Sequence, residues 1–322
     1  FNFILMKKKI AIIGAGIAGL TLANLIKKYT DHEFMVYERE ESLSLEEGYG
    51  IQLATNSIKI LNQISFNKIN NEKIFHPKTI DFYNIQNEKI CDLNLSKFNS
   101  PEAKYTTLQR STLIEFLKED IYTQHLRFGK KMKEVSELKD KVLIKFDDNT
   151  NDLVDFVIAA DGIFSNTRSF FETKKNEPRF KKAIAARVIL KSKSEFDINE
   201  ENLSLMLGSN SHIVLYPINK KVFYIGDAFN GFLPTLAQGA GQSIESAFEI
   251  FNLLTKDKLD KENNYFEIRS KRAKIIRSRS NFNFFAFHFS NKIMQNIRNL
   301  FLKFLVKRKF FVKRYLGKVY KN

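Results

Sequence analysis

The stretch KIAIIGAGIAGL, residues 9–20, decides the fold. It begins with a continuous apolar run of the kind that is buried on both faces of a parallel sheet. Gly14 permits a tight turn, Gly16 allows the backbone to approach a pyrophosphate, and Gly19 lets a helix lie close to the strand. The pattern predicts a strand, a glycine turn and a helix whose N-terminal amides face phosphate groups.

A second strand with an acidic end extends this pattern. Residues 34–37 are apolar, and Glu38 follows them, nineteen residues after Gly19. A carboxylate at this distance can accept hydrogen bonds from an adenosine ribose. The segment therefore predicts a dinucleotide site, although it does not separate NAD from FAD.

Two later segments each place an aspartate beside a glycine after an apolar strand. Asp161 lies in DFVIAADGIFSNTR, residues 155–168, and Asp227 lies in KVFYIGDAFNGFLPTLAQGAGQSIE, residues 221–245. Ligands bind at the carboxyl edge of such sheets, so both carboxylates are predicted there. The alternative is that they are ordinary residues of strand-end turns.

Together the three segments resemble the FAD-dependent aromatic-ring hydroxylases, single-component flavoprotein monooxygenases that include salicylate, p-hydroxybenzoate and ubiquinone-pathway hydroxylases. The resemblance implies that Glu38 contacts the ribose and that residues 161–168 serve both FAD and NAD(P)H. It also implies that Asp227 holds the flavin ribityl chain. Pro234 and residues 238–241 would then lie along the isoalloxazine ring.

The residues that the resemblance assigns to cofactor binding come from all three segments and from one arginine between them. They are Gly14, Gly16, Gly19, Glu38, Arg39, Arg110, Asp161, Gly162, Arg168, Gly226, Asp227, Gly239, Ala240 and Gly241. Residues 48–56 also fit the family pattern.

The resemblance implies an α/β fold in which a Rossmann-like FAD-binding domain is interleaved with a reduced β-sheet substrate domain and followed by a helical C-terminal tail. The expected FAD domain comprises residues 6–75, 106–168 and 221–257. The expected substrate domain comprises residues 76–105 and 169–220, and the tail residues 258–322. The implied reaction is hydroxylation of an aromatic or quinone-like molecule, in which NAD(P)H reduces FAD and a flavin C4a-hydroperoxide formed from O2 supplies the oxygen.

The interval between the second and third motifs departs from the family. Only 58 positions separate Arg168 from Gly226, fewer than the family typically has. The interval predicts three strands, at residues 182–190, 203–207 and 212–218. Arg187, His212 and Tyr216 are weak pocket candidates, for which the alternative is packing in the core or at the surface.

The short interval leaves several functions open. A substrate sheet that does not exclude water would let the flavin release peroxide instead of hydroxylating a substrate. A partner subunit could complete the site, or the chain could be a non-catalytic flavin-binding or membrane-docking remnant. Another flavin oxidoreductase, similar to isoprenoid reductases, is a further alternative because fold alone does not fix the reaction.

Charge is concentrated at one end of the chain. The net charge is +16, and from Arg269 onward there are sixteen Lys and Arg without a single Asp or Glu. Residues 290–318 repeat apolar residues at helical spacing, which predicts an amphipathic helix that packs on the protein or touches an anionic membrane at residues 290–322. Nucleic-acid binding is not expected, because no recognised module accompanies the basic residues.

Composition also indicates the cellular compartment and whether a metal site or a membrane span is expected. One cysteine, Cys91, cannot form an intramolecular disulfide, which favours a reducing compartment. One Cys and five scattered His predict no metal site. No apolar run approaches the roughly 20 residues needed to span a bilayer. We therefore expect a cytoplasmic protein that can be peripheral at the inner membrane surface.

Overall fold

The computed structural model describes most of the chain. The described residues are 7–43, 49–84, 86–121, 123–171, 188–190, 199, 201–208, 211–219, 222–225, 239–255 and 262–320. The chain divides into two compact units. The first comprises Phe1–Glu46, Leu113–Ala183 and Ser243–Glu267, and the second comprises Glu47–Thr112, Ile184–Gln242 and Ile268–Asn322.

The secondary structure is a mixture of strands and helices. The strands are β1 Lys9–Ile13, β2 Glu33–Tyr37, β3 Gly50–Leu53, β4 Ile74–Phe75, β5 Thr79–Asn84, β6 Lys89–Asn94, β7 Thr106–Gln109, β8 Leu126–Arg127, β9 Met132–Leu138, β10 Lys141–Phe146, β11 Asn151–Val154, β12 Phe156–Ala159, β13 Val188–Leu190, β14 Leu203–Leu207, β15 His212–Asn219 and β16 Val222–Ile225. The helices are α1 Ile17–Tyr29, α2 Thr55–Gln63, α3 Arg110–Glu119, α4 Asn166–Phe171, α5 Gly239–Thr255, α6 Glu262–Phe287, α7 Lys292–Leu305, α8 Lys309–Tyr315 and α9 Gly317–Tyr320.

The first unit contains a four-stranded parallel sheet in the order β12-β1-β2-β8. Strand β1 lies inside this sheet, and Ile10, Ala11 and Ile12 are fully buried, as expected for a strand covered on both faces. Helix α1 connects β1 to the parallel strand β2. The predicted strand, glycine turn, helix and second strand are therefore confirmed, and the fold class is Rossmann-like α/β.

A three-stranded antiparallel sheet, β11-β10-β9, belongs to the same unit. Its apolar face shares one core with the parallel sheet, to which Ala11, Tyr37, Ile144 and Phe146 contribute. The Tyr37 hydroxyl donates a hydrogen bond to Asp152 Oδ2 at 2.6 Å, which joins β2 to β11. Burial, and then this carboxylate, raise the pKa of Tyr37.

The second unit contains a six-stranded sheet in the order β13-β16-β15-β14-β5-β6 and a three-stranded sheet in the order β3-β7-β4. Strands β14 and β5 are parallel, and the other neighbours in the six-stranded sheet are antiparallel. Its core includes Leu95 and Tyr216 from this part of the chain, together with Phe287, Val312 and Val319 from the C-terminal helices.

The two compact units do not have the same boundaries as the predicted FAD-binding domain, substrate domain and tail. The predicted domain boundaries therefore stay a prediction. Residues 268–322, the larger part of the tail expected at 258–322, supply part of the second unit's core. Of the three strands expected in the middle interval, residues 203–207 and 212–219 are strands, and 188–190 is the described part of the first.

The strand before Asp227 does not lie where the sequence predicted it. Strand β16 pairs antiparallel with β15 and β13 instead of joining the parallel sheet, so that prediction was wrong. Only residues 220–221 separate β15 from β16. Two residues suffice for an antiparallel hairpin, whereas a crossover to a parallel sheet needs a dozen or more, so the short connection determines the pairing.

The C-terminal region is helical, as expected, but α7 does not bury its apolar stripe. Ile293, Leu300 and Phe301 are 69%, 70% and 58% exposed, whereas Arg298 of the same helix is 6% exposed. The expectation that the stripe packs on the protein was therefore wrong, because the neighbouring side of α7, which carries Arg298 and Leu302, is the side that contacts the core. Across the described ranges, none of the helices combines the length and the apolar character required to cross a bilayer.

The pairing of β16 can be tested with engineered cysteines. Leu215 and Ile225 are directly opposite in the β15–β16 register. Paired antiparallel residues have the Cα separation that a disulfide requires. In a Cys91→Ser background, we expect the double variant Leu215→Cys, Ile225→Cys to form a disulfide under mild oxidation, detected by mass spectrometry.

The matched control is Val214→Cys with Ile225→Cys. Adjacent residues of a strand point to opposite faces, so this pair should remain reduced. Equal oxidation of both pairs, or no oxidation of either, would contradict the described hairpin.

Candidate functional site

A cavity of about 190 Å³ lies in the first unit, where β1, β2 and β12 end. The residues that line it come from the glycine turn, from the end of β2, from the segment before β9 and from the turn after β12. They are Ile13, Gly14, Gly16, Tyr37, Glu38, Arg39, Lys130, Lys131, Met132, Ala160, Asp161, Gly162, Phe164 and Asn166. The structure thus brings six of the predicted cofactor-binding residues to one cavity.

The two glycines that line this cavity have different physical roles. Gly14 has φ +107°, and its amide donates a hydrogen bond to the Tyr37 carbonyl oxygen at 2.8 Å. A Cβ atom at Gly14 would lie 2.5 Å from the Ala160 carbonyl oxygen, so a side chain there would disturb the fold. A Cβ atom at Gly16 would meet nothing within 4 Å. Gly14 is therefore required by the fold, whereas Gly16 leaves open space beside the helix N-terminus.

Glu38 is held in place by backbone amides. The Ala15 amide donates to Glu38 Oε2 at 2.8 Å, and the Glu40 amide donates to Glu38 Oε1 at 3.1 Å. A carboxylate oxygen has more than one lone-pair site, so each oxygen can accept another hydrogen bond. Arg39, beside it, has its guanidinium 3.0 Å from Glu40 Oε1. The carboxylate is thereby fixed at the edge of the cavity with capacity for a ligand hydroxyl.

Asp161 organises the turn after β12. Its carboxylate accepts hydrogen bonds from the Ser165 hydroxyl at 2.5 Å, the Thr167 amide at 3.0 Å and the Thr167 hydroxyl at 2.9 Å. The bond from Thr167 satisfies an amide in the first turn of α4, as a capping side chain does. Gly162 has φ +79°, and a Cβ atom there would meet nothing within 4 Å. Asp161 therefore shapes this turn, as the turn-residue alternative predicted.

Among the described residues, Gly19, Arg110, Ala240 and Gly241 are predicted cofactor residues that do not line the cavity. Gly19 lies in α1, and a Cβ atom there would collide with the Gly14 carbonyl oxygen, so Gly19 sets the packing of the turn. Arg110 begins α3, donates its amide to the Tyr49 carbonyl oxygen at 2.9 Å and places its guanidinium carbon 5.9 Å from the Tyr49 ring centroid. Residues 239–241 begin α5.

Several predictions fall on parts of the chain that the structure does not describe. Arg187, Gly226, Asp227 and Pro234 lie outside the described residues. Arg168 is on α4, but only its backbone is described. Their assignments remain predictions.

The two described pocket candidates, His212 and Tyr216, are packed within the second unit. Tyr216 is 2% exposed in the core. His212 Nδ1 lies 3.0 Å from His288 Nε2, and His288 Nδ1 lies 2.6 Å from the Phe284 carbonyl oxygen. A carbonyl only accepts, so His288 donates from Nδ1 and accepts at Nε2, which makes His212 the donor. Burial, and then the neighbouring His288, lower the pKa of His212 to about 4.

The sequence analysis missed the basic residues of the cavity. Lys130 and Lys131 line it, and Lys130 also donates to the Thr150 hydroxyl at 2.9 Å while pairing with Asp148. Both lysines lie just before β9, and the local sequence around them does not predict that this segment reaches the cavity. Together with Arg39 they bring three cations to the cavity, each paired with an acidic neighbour: Arg39 with Glu40, Lys130 with Asp148 and Lys131 with Asp147. These cations can contact an anionic ligand such as a diphosphate.

Comparisons with known proteins agree with this geometry. A family model described as an NAD(P)-binding Rossmann-like domain matches residues 12–46. The chain is 23% identical to 3-amino-4-hydroxybenzoate 2-monooxygenase PtmB3 of Streptomyces platensis over 372 aligned positions, which cover 91% of this chain and 92% of that protein. The alignment is longer than the chain, so the relative has segments that this chain lacks.

A second relative matches over a shorter range. The chain is 29% identical to 6-hydroxynicotinate 3-monooxygenase of Pseudomonas fluorescens over 166 positions, 50% of this chain and 42% of that protein, so it spans less than half of this relative. Among solved structures, Klebsiella pneumoniae HpxO complexed with FAD and uric acid superposes with a TM-score of 0.79 at 15% identity, covering 98% of each chain. This likeness shows a shared fold.

The histidine pair predicts a pH dependence of stability. Because the folded-state pKa of His212 lies below its ordinary value, the unfolded chain binds a proton before the folded chain does. The contribution of His212 to the free energy of unfolding is therefore fully present above about pH 6.5. It is lost as the pH falls towards about 4. We expect the loss to be on the order of 2 kcal/mol.

Urea unfolding of the wild type and of His212→Gln between pH 7.5 and pH 4 measures this contribution. The variant should lose less stability than the wild type over the stated range. Parallel curves for the two proteins would show that His212 is not held in its neutral form.

Proposed function

We propose that the chain is a flavoprotein monooxygenase of the FAD-dependent aromatic-ring hydroxylase type, and that it uses FAD, NAD(P)H and O2 to hydroxylate a small aromatic or quinone-like molecule. One observation carries the proposal. Two of the three sequence motifs that define the resemblance, separated by more than a hundred residues, meet at one cavity of the Rossmann-like unit.

The described residues fit the adenosine diphosphate half of FAD. Gly16 leaves open space at the N-terminus of α1, where free amides and the helix dipole favour a phosphate group. The Glu38 carboxylate would accept hydrogen bonds from the ribose hydroxyls. Arg39, Lys130 and Lys131 would balance the charge of the diphosphate.

FAD, when bound, would supply the redox chemistry: it takes two electrons from NAD(P)H and activates O2. In the overall reaction one oxygen atom enters the substrate ring as a hydroxyl and the other leaves as water, with NAD(P)H and one proton consumed. The protein itself would hold the diphosphate beside Gly16, fix the ribose through Glu38 and shape the turn after β12 through Asp161. Neither His212 nor Tyr216 is proposed as a proton acceptor, because both are packed in the second unit.

The substrate class follows from the relatives. Two are named for 3-amino-4-hydroxybenzoate and 6-hydroxynicotinate, and one solved structure contains uric acid. All three are planar rings that carry oxygen substituents. We therefore propose a planar aromatic or heteroaromatic substrate with a hydroxyl or oxo group.

A second candidate function is FAD binding with release of peroxide. It is favoured by the short interval between Arg168 and Gly226, since a smaller substrate sheet would leave the flavin less enclosed. Water in the site promotes loss of the activated oxygen. The two candidates differ in their products and not in their use of FAD and NAD(P)H.

We propose a cytoplasmic location, since a lone cysteine suits a reducing compartment. Use of both NAD(P)H and FAD is consistent with that location.

The two glycines provide a matched pair of variants. Gly16→Ala should leave the free energy of unfolding nearly unchanged, because the added methyl group meets no protein atom. The same methyl group should obstruct the diphosphate and weaken FAD binding by about tenfold or more, or about 1.4 kcal/mol. Urea unfolding and quenching of flavin fluorescence measure the two quantities.

Gly14→Ala, in contrast, should destabilise the folded protein. The substitution places a Cβ atom against a backbone oxygen at positive φ. It should therefore lower the free energy of unfolding by at least about 2 kcal/mol. If Gly16→Ala bound FAD as tightly as the wild type, the phosphate site would not lie beside Gly16.

Turnover is tested by adding NADH or NADPH to the FAD-loaded protein with a panel of hydroxylated aromatic acids and heteroaromatic rings. We expect at least one ring to accelerate NAD(P)H oxidation and to yield a hydroxylated product by mass spectrometry. NAD(P)H oxidation that yields only hydrogen peroxide with every ring would favour the second candidate. FAD binding without any NAD(P)H oxidation would contradict both.

A further inference from the structure

Helix α7 presents an apolar stripe to solvent. Its members recur every three or four residues, so they lie on one side of the helix. They are Ile293, Met294, Ile297, Leu300, Phe301 and Phe304, all between 40% and 70% exposed. Contiguous exposed apolar surface of this kind marks a site of interaction.

The neighbouring side of α7 fixes this orientation. The Arg298 guanidinium donates to the Phe287 carbonyl oxygen at 3.2 Å and to Asn299 Oδ1 at 2.9 Å. Phe287 is the last residue of α6, so Arg298 satisfies a carbonyl at a helix C-terminus, where a cation is favoured. Leu302, near Arg298 on the same side, packs on the core of the second unit. The stripe therefore points away from the core.

Basic residues surround the apolar stripe. Lys292, Lys303 and Lys307 on and after α7 are exposed, as are Lys309 and Lys313 on α8. Residues 290–322 contain ten Lys and Arg and no Asp or Glu. All the charged side chains of this segment are therefore cationic.

The apolar and cationic surfaces are continuous at the start of α8. Arg308 places its guanidinium carbon 4.4 Å from the ring centroid of Phe304. Phe310, two residues further, is 75% exposed. Helix α8 thus adds a further exposed aromatic side chain next to the cation that covers Phe304.

We propose that α7 and α8 form a docking surface for an anionic lipid bilayer, in which the stripe enters the headgroup region and the flanking Lys and Arg contact anionic lipids. Such a surface offers apolar volume and negative charge together. A second copy of the chain would bring two cationic surfaces together, which repel. A nucleic acid would satisfy the cations but leave the aliphatic side chains in water.

The test is co-sedimentation of the full chain with vesicles, which does not depend on FAD or turnover. Vesicles of equal parts phosphatidylglycerol and phosphatidylcholine are compared with vesicles of phosphatidylcholine alone. We expect tight binding to the anionic vesicles and weak binding to the neutral ones. The triple variant Leu300→Gln, Phe301→Gln, Phe304→Gln should bind the anionic vesicles about a hundredfold more weakly.

Two further variants make the test specific. Lys303→Glu, Lys307→Glu, Lys309→Glu should also lose binding to the anionic vesicles, because charge attracts the surface to them. Leu138→Gln with Leu153→Gln replaces exposed leucines of the β9–β11 sheet, 48% and 46% exposed, and should bind like the wild type. Circular dichroism verifies that each variant is folded.

Three results would overturn the proposal. The wild type could fail to sediment with anionic vesicles, or the triple stripe variant could bind them as tightly as the wild type. Alternatively, analytical ultracentrifugation could show a wild-type dimer that the stripe variant dissociates, which would assign the stripe to a second copy of the chain.

Discussion

The close approach of the Gly14 turn to the Ala160 carbonyl oxygen is the constraint on which the rest of the first unit depends. There is no room for a side chain at Gly14, and Gly19 allows α1 to lie against the same turn. These contacts bring the ends of β1 and β12 together at one edge of the parallel sheet. As a result, residues that are far apart in sequence, Glu38 and Asp161, line a single cavity.

Gly14 is needed for stability, whereas Gly16 is proposed to serve binding. Both belong to the same short motif, but only Gly14 is enclosed by protein atoms. The space beside Gly16 contributes nothing to the packing of the unit, and it lies where a helix N-terminus favours an anion. The first unit thus contains the features required for the diphosphate half of a dinucleotide within its own sheet.

Local patterns predicted this part of the molecule well. The apolar run of β1, the glycine spacing and the acidic residue after β2 each have a cause within a few residues, so the turn, α1 and the position of Glu38 were expected correctly. The resemblance assigned β16 to the wrong sheet, although the two-residue connection after β15 is visible in the sequence and favours a hairpin. It likewise missed Lys130 and Lys131, which reach the cavity through the path of the chain into β9.

The C-terminal helices illustrate a second limit. Helical spacing correctly predicted that α7 carries an apolar stripe, but spacing alone does not decide which side of a helix is covered. In the structure Arg298 and Leu302 face the core and the stripe is exposed. A single hydrogen bond from Arg298 to the end of α6, which no periodicity reveals, is part of what orients the helix.

The short interval between Arg168 and Gly226 bears on the proposed function. It places β16 in a hairpin with β15 and leaves the first unit's cavity intact. Affinity for FAD would then rest mainly on the diphosphate half, for which the cavity of the first unit is proposed. The chain is accordingly expected to bind flavin even where turnover is limited by access of water.

The most direct measurement is the visible absorption spectrum of the purified full chain after FAD has been added and the excess removed by gel filtration. The account predicts a flavin absorption band that elutes with the protein in stoichiometric amount. Elution of all the flavin as free FAD, from a protein shown to be folded by circular dichroism, would contradict the assignment of the cavity beside Gly16 to the cofactor.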